Sequence, residues 1–499
     1  MLGVEVLSPS ATSWFRVCAI GIAVMSAVAA LVPAAARALV GGVTMLGERP
    51  ESAELAARVA FGAAAIGFGV LALFVASVVR IARLLSHRLS QLSPRNFWWL
   101  VAVVAIAPRL IVAGVPYEPP VGDAVWYHET AASLARGDGL SLAETPTAYR
   151  PPGYPFLLSL TYRVFGPKSV LAWSWGVVAT ALLLGAVHRI ASQLYDDGTA
   201  RCATLLLAGY PALVWATGQT MSDVPFTAGM TFLVGWVMSR IRIDTRDCFL
   251  AGIGVGLLTL VRAVGVTALV PLLFTVWHGA SERGAFRRQA VALLAGCSLP
   301  ILAWVARNHA MFGVALFDTN GGWNLLVGNH PDASGGYETT GLPALLSERL
   351  ATSDEVTAHH AYLRHAVEHI RTRPLECLRS LPLKLAHLFE PDLWAPRGVL
   401  GNNAISLAWR YVSFAVCQLV YVGLLCAFLG RLVSFVDPEN RPRGLQWTFA
   451  CVGGALGAVT LVTFGLDRYR LPFLPWMTIE AAAFLVGTRS LRRYAARSW

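Results

Sequence analysis

The sequence predicts an all-α polytopic membrane protein with about twelve transmembrane helices and a mixed extracytoplasmic loop domain. Three observations predict it. Of the 499 residues, 56% are hydrophobic and only 14% charged, a balance that excludes an ordinary soluble enzyme. Apolar stretches of spanning length recur from residue 17 to residue 487. Arg clusters fall in alternate gaps between those stretches, as the positive-inside rule expects of cytoplasmic loops. The formal charge of +11 would suggest nucleic acid in a soluble chain. Here only Lys168 and Lys384 are lysines, and no basic run is interleaved with aromatic residues, so the charge reads as topology.

In order, the candidate spans are 17–35, 59–79, 97–116, 169–187, 198–216, 224–239, 248–261, 264–279, 290–306, 404–429, 445–465 and 471–487. The cytoplasmic gaps carry Arg80, Arg83, Arg88 and Arg95, then Arg189 and Arg201, then Arg240, Arg242 and Arg246. Farther on come Arg283, Arg287 and Arg288, then Arg431, Arg441 and Arg443, and finally Arg489, Arg492, Arg493 and Arg497. The stretch 248–279 has room for one long tilted helix, but the Arg-rich loops on either side must share a side, so it divides at Arg262. The first span has about 17 apolar residues against the ~7–15 of a secretory signal core, which favours an uncleaved anchor.

This gives two N-terminal helices in 1–96, a membrane module in 97–307 with an outer loop at 117–168, an extracytoplasmic segment at 308–403 and further spans in 404–499. Segment 308–403 carries seven basic and ten acidic residues, the reverse of the cytoplasmic gaps, and seven of the eleven His. Of eight Cys only Cys377 lies outside the spans and their ends, so no disulfide framework is implied.

Chemistry-bearing residues gather at the predicted outer surface. Asp123, in Gly122-Asp123-Ala124-Val125-Trp126-Tyr127, follows the third span by about seven residues and opens a short amphipathic helix. A carboxylate there can accept the proton of an attacking alcohol, or it can cap the helix. Arg150, in Tyr149-Arg150-Pro151-Pro152-Gly153-Tyr154-Pro155, is followed by two prolines that hold the backbone extended, so its fork is presented to a phosphate or braces a rigid turn. Asp223 lies in the outer turn between the fifth and sixth spans, where a buried carboxylate needs a function or a capping role. Arg262, Arg307, Arg468 and Arg470 also fall at outer helix ends, against the positive-inside trend, and with Arg150 they suggest an anionic ligand. The run Asn320-Gly321-Gly322-Trp323-Asn324 and the later Gly328-Asn329 suit tight turns and backbone exposure to a polar ligand. His365 and His369 have metal-binding helical spacing, but no third ligand accompanies them, and a solvated face is the simpler reading.

In order and content these motifs resemble the GT-C fold, and in particular bacterial lipid-linked glycosyltransferases related to protein O-mannosyltransferases and to the aminoarabinose transferase of lipid A. The resemblance runs from about residue 97 to 487 and rests on Asp123 after a membrane helix, Arg150-Pro151-Pro152-Gly153-Tyr154-Pro155, Asp223, the Asn-Gly-Gly and Gly-Asn loop, and Arg468-Tyr469-Arg470-Leu471-Pro472. It implies inverting transfer of a sugar from a polyprenyl-phosphate donor to a hydroxyl of a cell-envelope glycan, glycolipid or protein, on the outer face of the inner or plasma membrane. Asp123 would be the general base, Arg150 the donor-phosphate ligand, and Asp223 an orienting carboxylate. Arg468 and Arg470 are added as phosphate candidates from charge and side. Tyr127, Tyr149, Asn320, Gly321, Gly322, Asn324 and Asn329 are the substrate-loop candidates. No cofactor is implied and no metal cluster is apparent, although metal dependence varies across the wider fold.

Two features depart from the family pattern. Ala124 follows Asp123 where protein mannosyltransferases have Asp-Glu, and Trp126 stands where the lipid A enzyme has a phosphate-contacting Arg, so another Arg must supply that charge. The helices before residue 97 are additional to the family core. A polytopic transporter or lipid flippase is the rival reading. It predicts internal repeats and charged, broken helices at the midplane, whereas these carboxylates and Args gather at the outer surface. Arg109 and Arg410, within spans, fit neither reading.

Overall fold

The computed structural model describes residue 62 and residues 77–114, 120–240, 243–339, 342, 354–392 and 406–487. The first predicted span, 17–35, and most of the second, 59–79, lie outside these residues. So does the question of whether the first is an anchor or a signal.

The described residues are mainly helical. Helix α1 (Pro94–Ala113) starts on a Ser93 cap that accepts from Asn96 N. Helix α2 (Asp123–Arg136) runs between Gly122 and Gly137, both at positive φ. A small hairpin pairs β1 (Ser141–Leu142) with β2 (Thr145–Pro146), and α3 (Gly153–Phe165) follows. Next come α4 (Ala172–Leu194), α5 (Asp197–Ala208), α6 (Pro211–Thr217), α7 (Asp223–Met238), α8 (Thr245–Val261), α9 (Leu269–Gly279) and α10 (Arg283–Phe312). After α10 come three helices, α11 (Asn320–Gly328), α12 (Glu355–Thr372) and α13 (Pro374–Leu388). The chain closes with α14 (Leu407–Ser434), α15 (Thr448–Val462), a 3-10 turn (Asp467–Phe473) and α16 (Leu474–Val486).

Among the described residues five helices are long and apolar enough to cross a membrane: Pro94–Ala113, Ser169–Leu194, Arg283–Phe312, Ala408–Ser434 and Gly444–Val462. Asp223–Met238 and Ala263–Gly279 are shorter apolar helices. The protein is therefore a multi-pass membrane protein, with several elements shorter than the sequence periodicity predicts.

The predicted fifth span, 198–216, is two helices and not one. Pro211 lacks an N–H and Tyr210 is extended, so α5 stops at Ala208 and α6 restarts at Pro211. A broken helix in an apolar setting exposes backbone carbonyls that water cannot reach. Arg109 of α1 meets this need: its Nη1 donates to Ala208 O at 3.1 Å and to Ala105 O at 2.7 Å, while Nε donates to Thr217 Oγ1 at 3.1 Å. The structure thus gives this intramembrane arginine a stabilising task. The division at Arg262 is observed: α8 ends at Val261, Arg262 is extended at φ −148 and ψ 136, and a 3-10 turn (Ala263–Ala268) leads into α9.

Close backbone approach sets the packing of α8 on α10. A Cβ at Gly252 would lie 2.1 Å from Leu293 O, and one at Gly296 would lie 2.1 Å from Phe249 O, so only hydrogen fits at either face. Below, Arg431 of α14, Glu480 of α16 and Tyr195 at the end of α4 form a buried triad. Tyr195 Oη donates to Glu480 at 2.7–2.8 Å and Arg431 Nε donates to it at 3.2 Å.

Helix α12 and the turn before α11 fix the loop that enters the site. Glu355, in the first turn of α12, accepts from Thr147 Oγ1 at 2.8 Å and from Ala148 N at 2.6 Å. On the other side of the same residue Ala148 O accepts from Thr319 N at 3.0 Å. With both polar groups of Ala148 held, the Tyr149-Arg150 turn that follows has a fixed position.

Candidate functional site

Asp123 is the first residue of α2, and its carboxylate lies between two guanidinium groups. Its Oδ1 accepts from Arg150 Nη2 at 2.7 Å and its Oδ2 from Arg468 Nη2 at 3.1 Å. Asp223, the first residue of α7, is paired with Arg262, and its Oδ1 is 3.9 Å from Arg468 Nε. Five segments of the sequence are therefore joined by one chain of charge, Arg150–Asp123–Arg468–Asp223–Arg262. The two carboxylates differ in access. The Asp123 side chain is 31% exposed and Asp223 only 2%, so Asp123 is the one an incoming hydroxyl can reach.

Burial raises the pKa of the Asp123 carboxyl, but the fields of Arg150 and Arg468 and the hydrogen bond from Arg468 outweigh it and hold it below the ordinary carboxylate range. Burial acts against the charge on Arg150, yet the neighbouring Tyr127 and Asp123 hold its proton more firmly than usual. Around the guanidiniums the walls are aromatic. Arg150 lies over Tyr149 at 5.3 Å and over Tyr127 at 5.7 Å, and Arg468 lies over Tyr469 at 5.7 Å. Tyr127 Oη shares a 3.0 Å hydrogen bond with Ser222 Oγ, which ties α2 to the residue before Asp223. Burial pushes the Tyr149 hydroxyl up to about 12, so it is protonated at neutral pH.

The ion-paired chain itself has three guanidiniums and two carboxylates. Such a cluster of guanidiniums, walled by aromatic rings, has the chemistry to hold a phosphate group.

Several predicted residues lie elsewhere. Arg470 does not join the cluster. It is buried against Tyr421, pairs with Asp392, and donates through Nη1 to Leu388 O at 2.7 Å and Glu390 O at 2.9 Å, so it anchors the end of α13. Arg470→Gln should lower stability by about 3–5 kcal/mol, because Asp392 is left buried without its charge partner, with Tyr210 Oη still donating to its carboxylate. Thermal unfolding in detergent checks this, and lipid-phosphate affinity should stay within twofold, roughly 0.4 kcal/mol. Arg307 likewise braces a loop, donating to Thr147 O at 3.1 Å and Asn308 Oδ1 at 3.0 Å.

Within the substrate-loop candidates, Asn329 is a structural lock: Nδ2 donates to Leu325 O at 2.9 Å and Val462 O at 2.8 Å, and Oδ1 accepts from Lys384 Nζ at 3.0 Å. Gly322 passes beneath His359, whose backbone oxygen would be 2.4 Å from an added Cβ, and its N–H meets His359 Nδ1 at 3.2 Å. Gly321 N donates to Asp318 Oδ1 at 2.8 Å. Asn324, one turn on, is half-buried. His369 has Glu376 at 3.9 Å.

Sequence reasoning did not single out Asp318, Thr319 or Glu355, and it read Trp126 only as a departure from the family pattern. Burial lifts the Asp318 carboxyl above its ordinary pKa even though the Gly321 N–H lowers it. An acidic residue two before Asn-Gly-Gly was visible as a helix-start signal, but nothing in the sequence brings it near Arg150.

Residues 149–306 match the family model described as dolichyl-phosphate-mannose-protein mannosyltransferase. That span includes Arg150, Asp223 and Arg262, while Asp123 precedes it and Arg468 follows it. The resemblance to GT-C lipid-linked sugar transferases read from the motif order is borne out by this match. Among solved structures the chain is similar to the oligosaccharyltransferase AglB from Archaeoglobus fulgidus, in complex with an inhibitory peptide and a dolichol-phosphate. Identity is 14% and the TM-score 0.42, over 82% of this chain and 49% of that one. The chain thus spans about half the length of that protein. It is also similar to ArnT from Cupriavidus metallidurans bound to undecaprenyl phosphate, at 15% identity and a TM-score of 0.39, over 79% of this chain and 78% of that one. No curated protein matches the sequence.

Proposed function

We propose that the chain is an inverting glycosyltransferase that moves a sugar from a polyprenyl-phosphate donor to a hydroxyl of a cell-envelope acceptor on the outer face of the membrane. The observation that carries this reading is the accessible Asp123 carboxylate held between Arg150 and Arg468. The family match over residues 149–306 supports it. The proposed topology has about twelve spans, with the site on the extracytoplasmic side of the inner or plasma membrane.

The step uses the chain's own groups. Arg150 and Arg468 hold the donor phosphate, whose charge develops as the bond from the anomeric carbon to the phosphate oxygen breaks. The acceptor oxygen attacks the anomeric carbon from the opposite face, and its proton passes to Asp123. The products are a glycosylated acceptor and a polyprenyl phosphate. Asp223, sealed behind Arg262, fixes Arg468 and so the distance between the phosphate and the base.

Before the donor arrives, both Asp123 oxygens are engaged by guanidiniums, which makes it a weak base. A phosphate that recruits Arg150 and Arg468 to itself weakens their hold on Asp123 and raises its basicity. Donor binding therefore prepares the base, and the order is donor first, acceptor second.

The test is transfer in proteoliposomes from radiolabelled lipid-linked mannose, glucose, arabinose and aminoarabinose to envelope acceptors. Label from at least one of these should move to an acceptor, with release of the lipid phosphate. Absence of transfer from all four, with the protein folded, would count against the assignment.

A further inference from the structure

Beside the phosphate-binding arginines lies a group of buried polar atoms that the fold leaves unused. Thr319 stands at the N-cap of α11, where a Thr hydroxyl ordinarily accepts from the first turn. It makes no cap hydrogen bond here, because Asp318 has taken that task through its 2.8 Å bond from Gly321 N. Thr319 Oγ1 is buried without a hydrogen-bond partner, and so is Asn320 Oδ1. Trp126 Nε1, on the ring that neighbours Tyr149, is in the same state. Thr319, Asn320 and Trp126 are 3%, 9% and 6% exposed, so bulk solvent does not supply the missing partners.

Both elements that carry these residues pack on one segment of the chain, Ala148 to Arg150. Thr319 N is bonded to Ala148 O, two residues before Arg150, and the Trp126 ring lies 6.3 Å from that of Tyr149. Tyr149 in turn stacks beneath the Arg150 guanidinium at 5.3 Å. The atoms also form a chemical set. Asn320 Oδ1 only accepts, Trp126 Nε1 only donates, and the Thr319 hydroxyl does either. A ligand that both donates and accepts at neighbouring positions, with an apolar face for an aromatic ring, is a ring of vicinal hydroxyls. A second anion would be repelled by Asn320 Oδ1 and by Asp318 nearby.

We infer that Thr319, Asn320 and Trp126 form the subsite for the sugar ring of the donor, and that they set which sugar is accepted. This rests on Arg150 holding the donor phosphate, since the ring is one glycosyl bond from that phosphate. The acceptor need not be present for the contacts to form.

The experiment is equilibrium binding by the full chain in detergent. The probes are undecaprenyl phosphate and the undecaprenyl phosphates carrying mannose, glucose or arabinose. The wild type should bind at least one glycosylated lipid about tenfold tighter than the bare one, the scale of one or two added hydrogen bonds. Asn320→Ala and Thr319→Val should lose that margin while binding bare undecaprenyl phosphate as before, and Thr319→Ser should keep it. Retention of the margin in the first two variants overturns the subsite, as does a wild type that prefers no glycosylated lipid. Loss of bare-lipid binding in those variants makes the residues structural and also overturns it. A wild type that does not bind undecaprenyl phosphate at all overturns the phosphate reading itself, and the subsite falls with it.

Discussion

Asp123→Asn is expected to lower kcat by about 10²–10⁴-fold, the usual worth of a positioned general base. The substitution keeps the side-chain volume and one acceptor oxygen, so α2 should fold as before. Its effect on the donor should have the opposite sign. With no carboxylate competing for Arg150 and Arg468, both guanidiniums are free for phosphate, and undecaprenyl phosphate should bind at least as tightly as to the wild type. A structural role for Asp123 predicts loss of stability and of donor binding together. Near-normal transfer by the variant would sink the base assignment.

The same residue fixes the pH dependence. In the free protein its pKa is depressed, so the ion pairs contribute fully above the unfolded carboxylate value of about 3.9 and are lost as pH falls through the lower folded value. Bound donor phosphate adds negative charge beside Asp123 and draws the guanidiniums away, which raises its pKa. The acid limb of kcat/KM reports the free protein and that of kcat the loaded one. The kcat limb should therefore lie at the higher pH. The reverse order would contradict donor-prepared base activation.

Much of this was legible in sequence because the constraints are local. Apolar length marks spans, and a proline pair fixes Arg150 whatever surrounds it. Asp123 and Asp223 were visible because each opens a helix just beyond an apolar run. The failures are tertiary. Arg468 and Arg470 look equivalent in sequence, but they lie two apart on a 3-10 turn of about three residues, so they point to different sides. One reaches Asp123 and the other Asp392. Arg109 had no reading until the break at Tyr210-Pro211 showed which carbonyl needs it. The orphan state of Thr319 and Asn320 depends on what does not touch them, which no spacing reveals.

Arg468→Gln is the second change with a large expected effect. Arg468 lies between the two carboxylates, 3.1 Å from Asp123 Oδ2 and 3.9 Å from Asp223 Oδ1. Removing it takes away the guanidinium that lies between the two carboxylates, so the site loses positive charge that attracts phosphate. It also takes away a charge that stabilises the leaving phosphate, and the loss of one such preorganised group costs about 10²–10³-fold in kcat. Both terms should fall, with weaker undecaprenyl phosphate binding and slower transfer. Arg468→Lys keeps the charge but not the fork that spans Asp123 and Asp223, so it should recover binding better than turnover. Unchanged donor affinity in Arg468→Gln, with a folded protein, would show that Arg468 only holds the two aspartates apart. The phosphate would then depend on Arg150 alone.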